Sequence, residues 1–504
     1  MFIRQKKNKT GTISVQVIDK SSGKYKVIHS AGSSADSTII AGLTEQAKHY
    51  IHKIKRQGEF DFLLGDDVRY YQSVYENIQQ VQLLGPELVL GKIFNEIGFN
   101  VIPEELFRHL VITRLIYPVS KLKTLDYLQK YKGIVYEKDE VYRYLDKLHK
   151  EHIKQVQQIS YQHTLKVLEG VLSVVFYDVT TLYFEAEDED DLRKTGFSKD
   201  GKHQQPQIVL GLLVSQQGYP LDYEIFEGNK FEGHTMLPVV EAFTKKYQME
   251  KLIVVADAGL MSDKNIKQLA DNNYEFIIGG RIKNETHVIQ QQILSLVLSD
   301  GESAVLIKSD KQRLIVSYAA SRAKNDEHNR KRGLTKLEKQ LEKGKLTKKH
   351  INNKGYNKYL KLFGEIKIEI DYDKYKADAK WDGLKGYLTN TTLSKEEVID
   401  YYKQLWNIEK TFRISKTDLR IRPVYHYLRR RIEAHICIAF AACKVYKELE
   451  RQLRNKQSKL SPEKVIDILK TIYAITIILP QSKEIKLMLL DKKEEQKSVL
   501  KMLS

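Results

Sequence analysis

The pattern of apolar and polar positions divides the chain into segments of different periodicity. Residues 11–30 (GTISVQVIDKSSGKYKVIHS) alternate around an SSG turn, which predicts a β-hairpin within an N-terminal segment, residues 1–60. Residues 85–165 change to helical spacing, as in PEELFRHLVITRLIYP. Several short helices suit a DNA-binding or dimerisation region, and equally a plain helical subdomain. The last segment, residues 451–504, is predicted to be a helical tail.

Residues 168–285 carry the apolar runs of an α/β sheet. Three β-branched and aromatic runs with short links predict three consecutive strands. A helix, a buried strand, a second helix and a further strand follow. The segments are, in order, VLSVVFYDVTTLYF, QIVLGLLVS, YPLDYEIFEG, HTMLPVVEAFTKKY, KLIVVADAG, SDKNIKQLADNN and YEFIIGGR. The order β-β-β-α-β-α-β with a late helix predicts a ribonuclease-H-like (RNase-H-like) core.

Residues 286–394 separate this first part of the core from its final helices in residues 395–450, and they are predicted to form a β-rich insertion. Within the insertion, residues 330–361 carry twelve Lys or Arg against two Glu, too dense in one sign for an ordinary core-facing helix. We interpret this run as a DNA-tracking arm in preference to a solvated linker.

Tyr402, Glu409 and Lys416 follow one another at steps of seven residues. Because seven residues are nearly two helical turns, a helix over residues 401–419 would present all three on one face. A carboxylate between an aromatic hydroxyl and an ammonium suits a cation held beside a phosphodiester. In this interpretation Glu409 binds the cation, and Tyr402 and Lys416 contact phosphate oxygens.

The charge balance indicates the kind of partner. Lys and Arg (83) exceed Asp and Glu (65), so the 504-residue chain has a formal net charge of +18 and a pI near 9.3. A polyanion such as DNA or RNA fits this charge, and the alternative is a basic enzyme without a nucleic-acid partner. The length allows two or three domains and a sizeable core.

Several function classes are excluded by what the sequence lacks. Cys437 and Cys443 are the only cysteines, which excludes a disulfide framework or a cysteine-based zinc finger and predicts core thiols. Neither a signal-peptide h-region nor a run of about eighteen apolar residues occurs, so a cytoplasmic protein that does not span a membrane is expected. The Gly-rich phosphate loop of ATPases is missing, and ATP is not expected to drive the reaction.

Three carboxylates stand in positions typical of metal-dependent chemistry. Asp178 lies within an apolar strand, where a carboxylate is costly unless it is paired, hydrogen-bonded or metal-bound. Asp257 closes LIVVADAG, at the carboxyl end of a buried strand, where ligands of α/β sheets usually bind. Each alone could be structural. With Glu409 they form a D-D-E set of oxygen ligands that selects two Mg²⁺ or Mn²⁺ ions and predicts phosphodiester hydrolysis or transesterification.

Basic residues flank the predicted site. Arg281 and Lys283 follow the fifth strand, and they either meet a DNA phosphate or are simply solvated. Arg420 and Arg422 open a basic segment interleaved with aromatic residues, which is typical of phosphate contacts without base preference.

These motifs resemble those of the DDE transposases of bacterial insertion sequences, in the insertion-sequence-four superfamily with its Tyr-Arg-Glu-Lys signature. The signature, Y-x2-R-x3-E-x6-K, is matched by Tyr402, Glu409 and Lys416, whereas Leu405 stands at the Arg position. The resemblance covers about residues 170–450. It also includes FYDVTTLYFE, GFSKDGKHQQPQIVLGLL, PLDYEIFEGN, VVADAGLMS and RPVYHYLRRRIEAHICIAF.

The resemblance implies an enzyme that binds the terminal inverted repeats of its own element, cleaves there and joins the 3′-hydroxyl ends to target DNA. It implies Asp178, Asp257 and Glu409 as ligands of Mg²⁺, and an RNase-H-like domain interrupted by β-strands. A homodimer on paired DNA ends, in the bacterial nucleoid, is expected. Tyr402 and Lys416 would contact the transposon-end phosphates. Arg413 either replaces the missing signature Arg or pairs with Glu409 one turn away.

Two other functions fit the same residues. One is a transposase-derived DNA-binding regulator that uses only the basic surface. The other is a structure-selective nuclease of the same fold, which hydrolyses DNA without joining strands.

Overall fold

The structure is a computed structural model of the chain. It describes residues 1–63, 66–198, 201–202, 204–249, 251–260, 262–309, 311–352, 355–363, 367–479, 482–491 and 493–503. The chain divides into two compact units, Met1–Gln82 with Ala474–Leu490, and Leu83–Tyr473 with Asp491–Ser504.

Strands and helices alternate along the chain. The strands are β1 (Phe2–Lys7), β2 (Ile13–Asp19), β3 (Lys26–Ser34), β4 (Ile78–Leu83), β5 (Val174–Tyr183), β6 (Gln207–Ser215), β7 (Pro220–Glu227), β8 (Ile253–Ala256), β9 (Glu275–Gly280), β10 (Ser303–Ser309), β11 (Gln312–Tyr318), β12 (Leu360–Phe363), β13 (Lys367–Ile370), β14 (Leu384–Thr389), β15 (Tyr473–Ile478) and β16 (Ile485–Leu490). The α-helices are α1 (Ser37–Leu63), α2 (Asp66–Glu76), α3 (Lys92–Ile97), α4 (Glu105–Ile116), α5 (Lys121–Lys132), α6 (Lys138–Lys147), α7 (Ile153–Val167), α8 (Met236–Tyr247), α9 (Asp263–Asp271), α10 (His287–Ser295), α11 (Ala320–Glu342), α12 (Tyr372–Asp378), α13 (Lys395–Lys403), α14 (Trp406–Arg413), α15 (Arg429–Asn455), α16 (Pro462–Leu469) and α17 (Glu494–Leu503).

The first unit contains two three-stranded sheets, β1-β2-β3 and β16-β15-β4. β2 and β3 pair antiparallel in the region where alternation predicts a hairpin, and β1 adds a third strand to it. Val15 and Val17 pack against Ala47 of α1. The prediction of a helical tail after residue 450 is wrong in part, because β15 and β16 lie there. Their sequences, YAITII and IKLMLL, are rich in residues that favour strands.

The second unit is built on an eight-stranded sheet of order β10-β11-β14-β9-β8-β5-β6-β7. β5, β6 and β7 pair antiparallel, whereas β8 and β9 run parallel to β5. Numbered from β5, the five core strands therefore lie in the order 3-2-1-4-5. This mixed sheet with its crossover helices α8 and α9 is the RNase-H-like arrangement that the element order predicts.

One face of this sheet is covered by apolar side chains, and the other face carries the candidate site. Val175, Tyr177, Val254 and Ala256 belong to a buried cluster with side chains of α8 such as Phe243. Alternate residues of β5 and β8 consequently point to the opposite face.

Helices α3 to α7 and the long helix α15 form the helical part of the second unit. α15 contacts α3, α4, α6 and α7. Cys437 and Cys443 are both buried in α15 as free thiols, in agreement with the sequence interpretation. No helix in the described part of the chain combines the length and the apolar composition needed to cross a bilayer.

The insertion differs from the prediction in one respect. Three of its strands, β10, β11 and β14, extend the core sheet beyond β9, and the Lys-rich run is helical up to Glu342 within α11. Arg330, Gly333 and Leu337 of this helix are buried. Our expectation that the run is too basic to face a core is wrong there, because residues three and four apart put these three on one packed face.

Candidate active site

Asp178 and Asp257 lie next to each other on parallel strands. Tyr177 of β5 is paired in register with Ala256 of β8, and the two aspartates are the residues that follow. Neighbouring strands are about 4.8 Å apart. Because Tyr177 and Ala256 both face the apolar cluster, both carboxylates point to the other face of the sheet.

The two carboxylates have different surroundings. Asp178 is half-buried, and its Oδ1 accepts a hydrogen bond of 2.7 Å from the backbone N–H of Val179. Asp257 is exposed, and its Oδ1 accepts a hydrogen bond of 3.0 Å from the hydroxyl of Tyr402. Two adjacent carboxylates offer oxygen ligands of the kind that Mg²⁺ prefers.

The helical segment of residues 395–418 brings Tyr402 and Glu409 to this face. Helix α13, which carries Tyr402, contacts β8, β9 and β14, while α14, which carries Glu409, contacts β5. Ser394 begins α13 as part of a capping box with Glu397. Ile408 is fully buried, which orients α14 so that Glu409 is exposed.

The predicted continuous helix over residues 401–419 is wrong. The N–H groups of Leu405, Asn407 and Ile408 bond three residues back, which is a tighter turn than an α-helix. A wide π-type turn follows at Ile414–Asp418 and contains Lys416. Tyr402, Glu409 and Lys416 therefore do not follow one another at a regular helical spacing. The tight turn before Glu409 overwinds the helix, and the wide turn that contains Lys416 underwinds it.

Within the described residues, no three acidic, histidine or cysteine side chains lie close enough together to ligate one metal ion. Glu409 makes no hydrogen bond or ion pair with any described residue, so its carboxylate is not committed elsewhere. Its charge nevertheless acts on Tyr402, the residue bonded to Asp257. Burial raises the pKa of the Tyr402 hydroxyl, and the charges of Asp257 and Glu409 contribute to the increase.

Lys385 is a site residue that sequence reasoning missed. It lies on β14, with its Nζ 4.3 Å from the centre of the Tyr402 ring and 5.5 Å from that of Tyr387. Burial and the charge of Arg322 lower the pKa of its ammonium, whereas Asp257 and Glu409 oppose this. Its local sequence, LKGYLT, gave only the weak signal of a lysine two residues before a tyrosine in a strand.

A glycine makes room for the contact between Tyr402 and Asp257. A Cβ atom on Gly279 of β9 would lie 2.5 Å from the Tyr402 hydroxyl and 3.2 Å from the backbone nitrogen of Ala258. Real Cβ atoms essentially never come within 3.0 Å of another heavy atom, so a side chain at residue 279 would displace the Tyr402 hydroxyl.

Two of the basic residues predicted to contact DNA have protein partners in the structure. Arg281 donates a hydrogen bond of 2.6 Å to the carbonyl oxygen of Ala258 and thereby fixes the turn after Asp257. Lys283 pairs with Asp378 at 2.5 Å. Lys283 is therefore held in an ion pair, and its side chain is also partly exposed to solvent.

Arg413, Arg420 and Arg422 lie beyond the carboxylates. Arg413 is exposed and makes no ion pair with Glu409 in the described structure, so the i,i+4 pairing considered from the sequence is not formed. Arg420 and Arg422 line a cavity beside the N-terminal end of α5. The guanidinium of Arg422 is 5.7 Å from the ring of Tyr183, at the end of β5.

An RNase-H-like sheet with adjacent aspartates on its two central parallel strands is typical of enzymes that act on phosphodiester bonds. The profile of the family described as "Transposase DDE domain" matches residues 169–443, and the chain belongs to this family. The protein is a DNA transposase, an enzyme that cleaves DNA and transfers strands. Enzymes of this family generally use divalent metal ions.

The chain is also similar to solved transposase structures. The piggyBac transposase synaptic complex with hairpin DNA, solved by cryo-EM, has 9% identity and a TM-score of 0.37, over 79% of this chain and 79% of that chain. The Mos1 transposase paired-end complex with the left transposon end has 13% identity and a TM-score of 0.16, over 36% of this chain and 57% of that one. The pre-cleavage Mos1 transpososome has 13% identity and a TM-score of 0.15, over 38% and 77%. Scores this low assign neither fold nor function. No protein with a curated description matches this chain by sequence.

Proposed function

We propose that this transposase binds the terminal inverted repeats of its own element, cleaves DNA there and joins the freed 3′-hydroxyl ends to target DNA. The observation that carries the proposal is the adjacency of Asp178 and Asp257 on parallel strands, with Glu409 on a helix that contacts the same strand as Asp178. The spacing of Tyr402, Glu409 and Lys416 supports a bacterial element of the insertion-sequence-four superfamily, acting on DNA in the cytoplasm.

Asp178, Asp257 and Glu409 would hold the divalent ions. Their carboxylate oxygens suit Mg²⁺ or Mn²⁺, and Glu409 has no competing partner among the described residues. Two such ions, when bound, activate the attacking oxygen and stabilise the leaving oxygen of an in-line displacement.

The chain's own residues position these groups. The hydroxyl of Tyr402 donates a hydrogen bond to Asp257 and so fixes the orientation of that carboxylate. Arg281 holds the following turn through Ala258. Lys416 and Arg413, together with Arg420, supply positive charge beyond Glu409 that would contact the phosphates of the DNA end.

We also propose that two copies act together on paired DNA ends, without ATP. Strand transfer at both ends of one element needs two active sites, and each chain has one D-D-E set. The sequence lacks the phosphate loop of an ATPase, and transesterification needs no nucleotide because the broken and formed phosphodiester bonds are equivalent.

Strand transfer with pre-cleaved element ends tests the proposal. We expect Asp257→Asn to lower joining by more than about 100-fold, since even residues that only support a metal ligand are worth 10–100-fold. DNA binding should persist. The matched control is Asp271→Asn, an exposed residue at the end of α9, which should join ends at the wild-type rate.

Two results would contradict the proposal. Unchanged joining by Asp257→Asn would show that the acidic pair is not the reaction centre. Hydrolysis by the wild-type protein without any joined product would instead identify a nuclease that uses the same carboxylates.

A further inference from the structure

A cavity of about 590 Å³ lies between the helical region and the segment that follows the final core helix. The N-terminal end of α5 forms one wall, and Arg420 and Arg422 form part of another. Arg114 of α4 and Lys121 of α5 line it as well, and both are almost completely buried, with 5% and 6% of their surface exposed.

Within the described part of the chain, these two buried cations have no acidic partner. Arg114 donates a weak hydrogen bond of 3.5 Å to the carbonyl oxygen of Leu419. Neither Arg114 nor Lys121 forms an ion pair with a described carboxylate, and none of the described residues that line the cavity is acidic. Asp146 of the adjacent helix α6 does not compensate them, because it pairs with Arg430 and Arg431.

A buried charge without a counter-ion is costly, and two such cations facing one cavity are more so. Burial lowers the pKa of Lys121 and the charge of Arg114 lowers it further, so an anion in the cavity would favour the charged form of this lysine. A ligand of opposite charge in the cavity would compensate both cations.

The remaining walls favour an anion too. Ser120 caps the twelve-residue helix α5 and accepts a hydrogen bond from the N–H of Lys123, so the positive end of the helix dipole is directed at the cavity. His426 and His435 also line it. Burial lowers the pKa of both imidazoles, that of His426 to about 3, and the charges of Lys121 and Arg114 add to this, so both rings are neutral at pH 7.

The cavity is connected to the strand that carries Asp178. Val424 donates its N–H to the carbonyl oxygen of Tyr183, and Phe184 and Val424 form a parallel bridge. The five residue-to-residue steps from Asp178 to Tyr183 in an extended strand correspond to about 17 Å. This length equals the axial rise of about five nucleotides of one DNA strand, at 3.4 Å each.

We propose that the cavity is a phosphate-binding site for the DNA substrate, in which Arg114 and Lys121 are the buried ligands and Arg420 and Arg422 form the rim. This inference rests on the proposed transposition reaction only for the identity of the ligand. The phosphate belongs either to the continuous DNA backbone or to a 5′-terminal phosphate, and both present the same oxygens to the two cations.

Thermal unfolding of the full chain in sodium phosphate, against sodium chloride of equal ionic strength, tests the site without DNA or catalysis. We expect phosphate well above its Kd to raise the wild-type Tm by about 2 °C or more. Lys121→Met should abolish this rise and should itself raise the Tm in chloride, because it removes an unpaired buried charge. Lys130→Met makes the same change on the exposed side of α5 and should keep the phosphate response.

A phosphate response that Lys121→Met leaves intact would overturn the proposal, as would no response in the wild-type protein. If Lys121→Met does not fold, Arg420→Gln at the exposed rim serves instead, with a reduced phosphate response expected. Strand transfer by the wild-type protein is scored separately, so a failed cavity and a failed transposition reaction give different results.

Binding of end oligonucleotides distinguishes the two sources of phosphate. We expect Lys121→Met to weaken binding at least about tenfold, as for a lost charge-assisted contact. An equal loss with 5′-phosphate and 5′-hydroxyl oligonucleotides assigns the cavity to a backbone phosphate, and a loss only with the phosphorylated one assigns it to a terminal phosphate. Unchanged binding of both would overturn DNA as the ligand.

Discussion

The hydroxyl of Tyr402 donates a hydrogen bond to Oδ1 of Asp257 across 3.0 Å, and it does so from a side chain that is 6% exposed. The sequence interpretation gave Tyr402 to a DNA phosphate. In the structure the hydroxyl of this tyrosine bonds one of the two adjacent aspartates, and the phosphate contact stays a prediction. Burial raises the pKa of its hydroxyl, so the group remains a proton donor at neutral and mildly alkaline pH.

Tyr402→Phe should lower activity without unfolding the protein. The change removes one hydrogen bond to a carboxylate, and partners of metal ligands are typically worth 10–100-fold in metal affinity or rate. We expect a rise of about tenfold or more in the Mg²⁺ concentration that gives half-maximal single-turnover cleavage. Tyr401→Phe, the neighbouring residue on α13, is the matched control. An unchanged Mg²⁺ dependence in Tyr402→Phe would show that the hydrogen bond does not orient Asp257.

Gly279→Ala should reproduce this defect by displacing Tyr402. The added Cβ would lie 2.5 Å from the tyrosine hydroxyl. Because Tyr402→Phe removes the atom that is contacted most closely, we expect Gly279→Ala to cost less activity in that background than in the wild type. Gly42→Ala, where a Cβ meets nothing within 4 Å, controls for the general effect of the substitution. Fully additive losses would indicate that Gly279 acts independently of Tyr402.

Lys385→Met should slow strand transfer by about tenfold or more. The ammonium lies over the Tyr402 ring and interacts with the charges of both Asp257 and Glu409, so it stands where a phosphate would approach the carboxylates. Single-turnover joining of pre-cleaved ends measures the effect, and Lys385→Arg should recover part of it. Lys380→Met, an exposed lysine of the same insertion, should join ends within about twofold of wild type. Equal rates for Lys385→Met and wild type would exclude this role.

The placement of Asp178 and Asp257 could be predicted because it depends on local patterns. Each aspartate lies in or directly after a β-branched run, and parallel strands of an α/β core put such positions together. Lys385 could not be found in this way. Its strand, β14, pairs with β9 through contacts such as Tyr387 with Gly279, more than a hundred residues apart, and local periodicity does not report a pairing partner.

The break at Gln404 and Leu405 was missed for a different reason. Both residues keep right-handed helical dihedral angles, and only the hydrogen bonds change from four-residue to three-residue spacing. Neither residue is Gly or Pro, so the usual sequence signal for a helix break is missing. Leu405 is buried, with 7% of its surface exposed, and this burial results from tertiary packing and not from the local sequence.

His163 gives the second unit a dependence of stability on pH. It is buried on α7, where burial and the charge of Lys444 lower its pKa to about 4, while Glu448 opposes this and Arg451 and Lys166 add to the lowering. The imidazole is therefore neutral in the folded protein at pH 5, whereas in the unfolded chain, with a pKa of about 6.5, it takes up a proton. Protons thus bind preferentially to the unfolded state between about pH 6.5 and 4, and stability falls as the pH is lowered through this range.

His163→Gln should remove this contribution. From pH 7.5 to pH 5 the titration of His163 lowers the free energy of unfolding of the wild type by about 2 kcal/mol, and the substitution eliminates that loss because glutamine does not titrate. Urea unfolding of both proteins at both pH values measures the change in the free energy of unfolding. Comparing wild type with variant cancels the contributions of the other titrating groups. His287→Gln changes an exposed histidine and should keep the wild-type pH dependence. If His163→Gln loses as much stability as the wild type on acidification, then His163 is already protonated in the folded protein, and its burial against Lys444 does not hold it neutral.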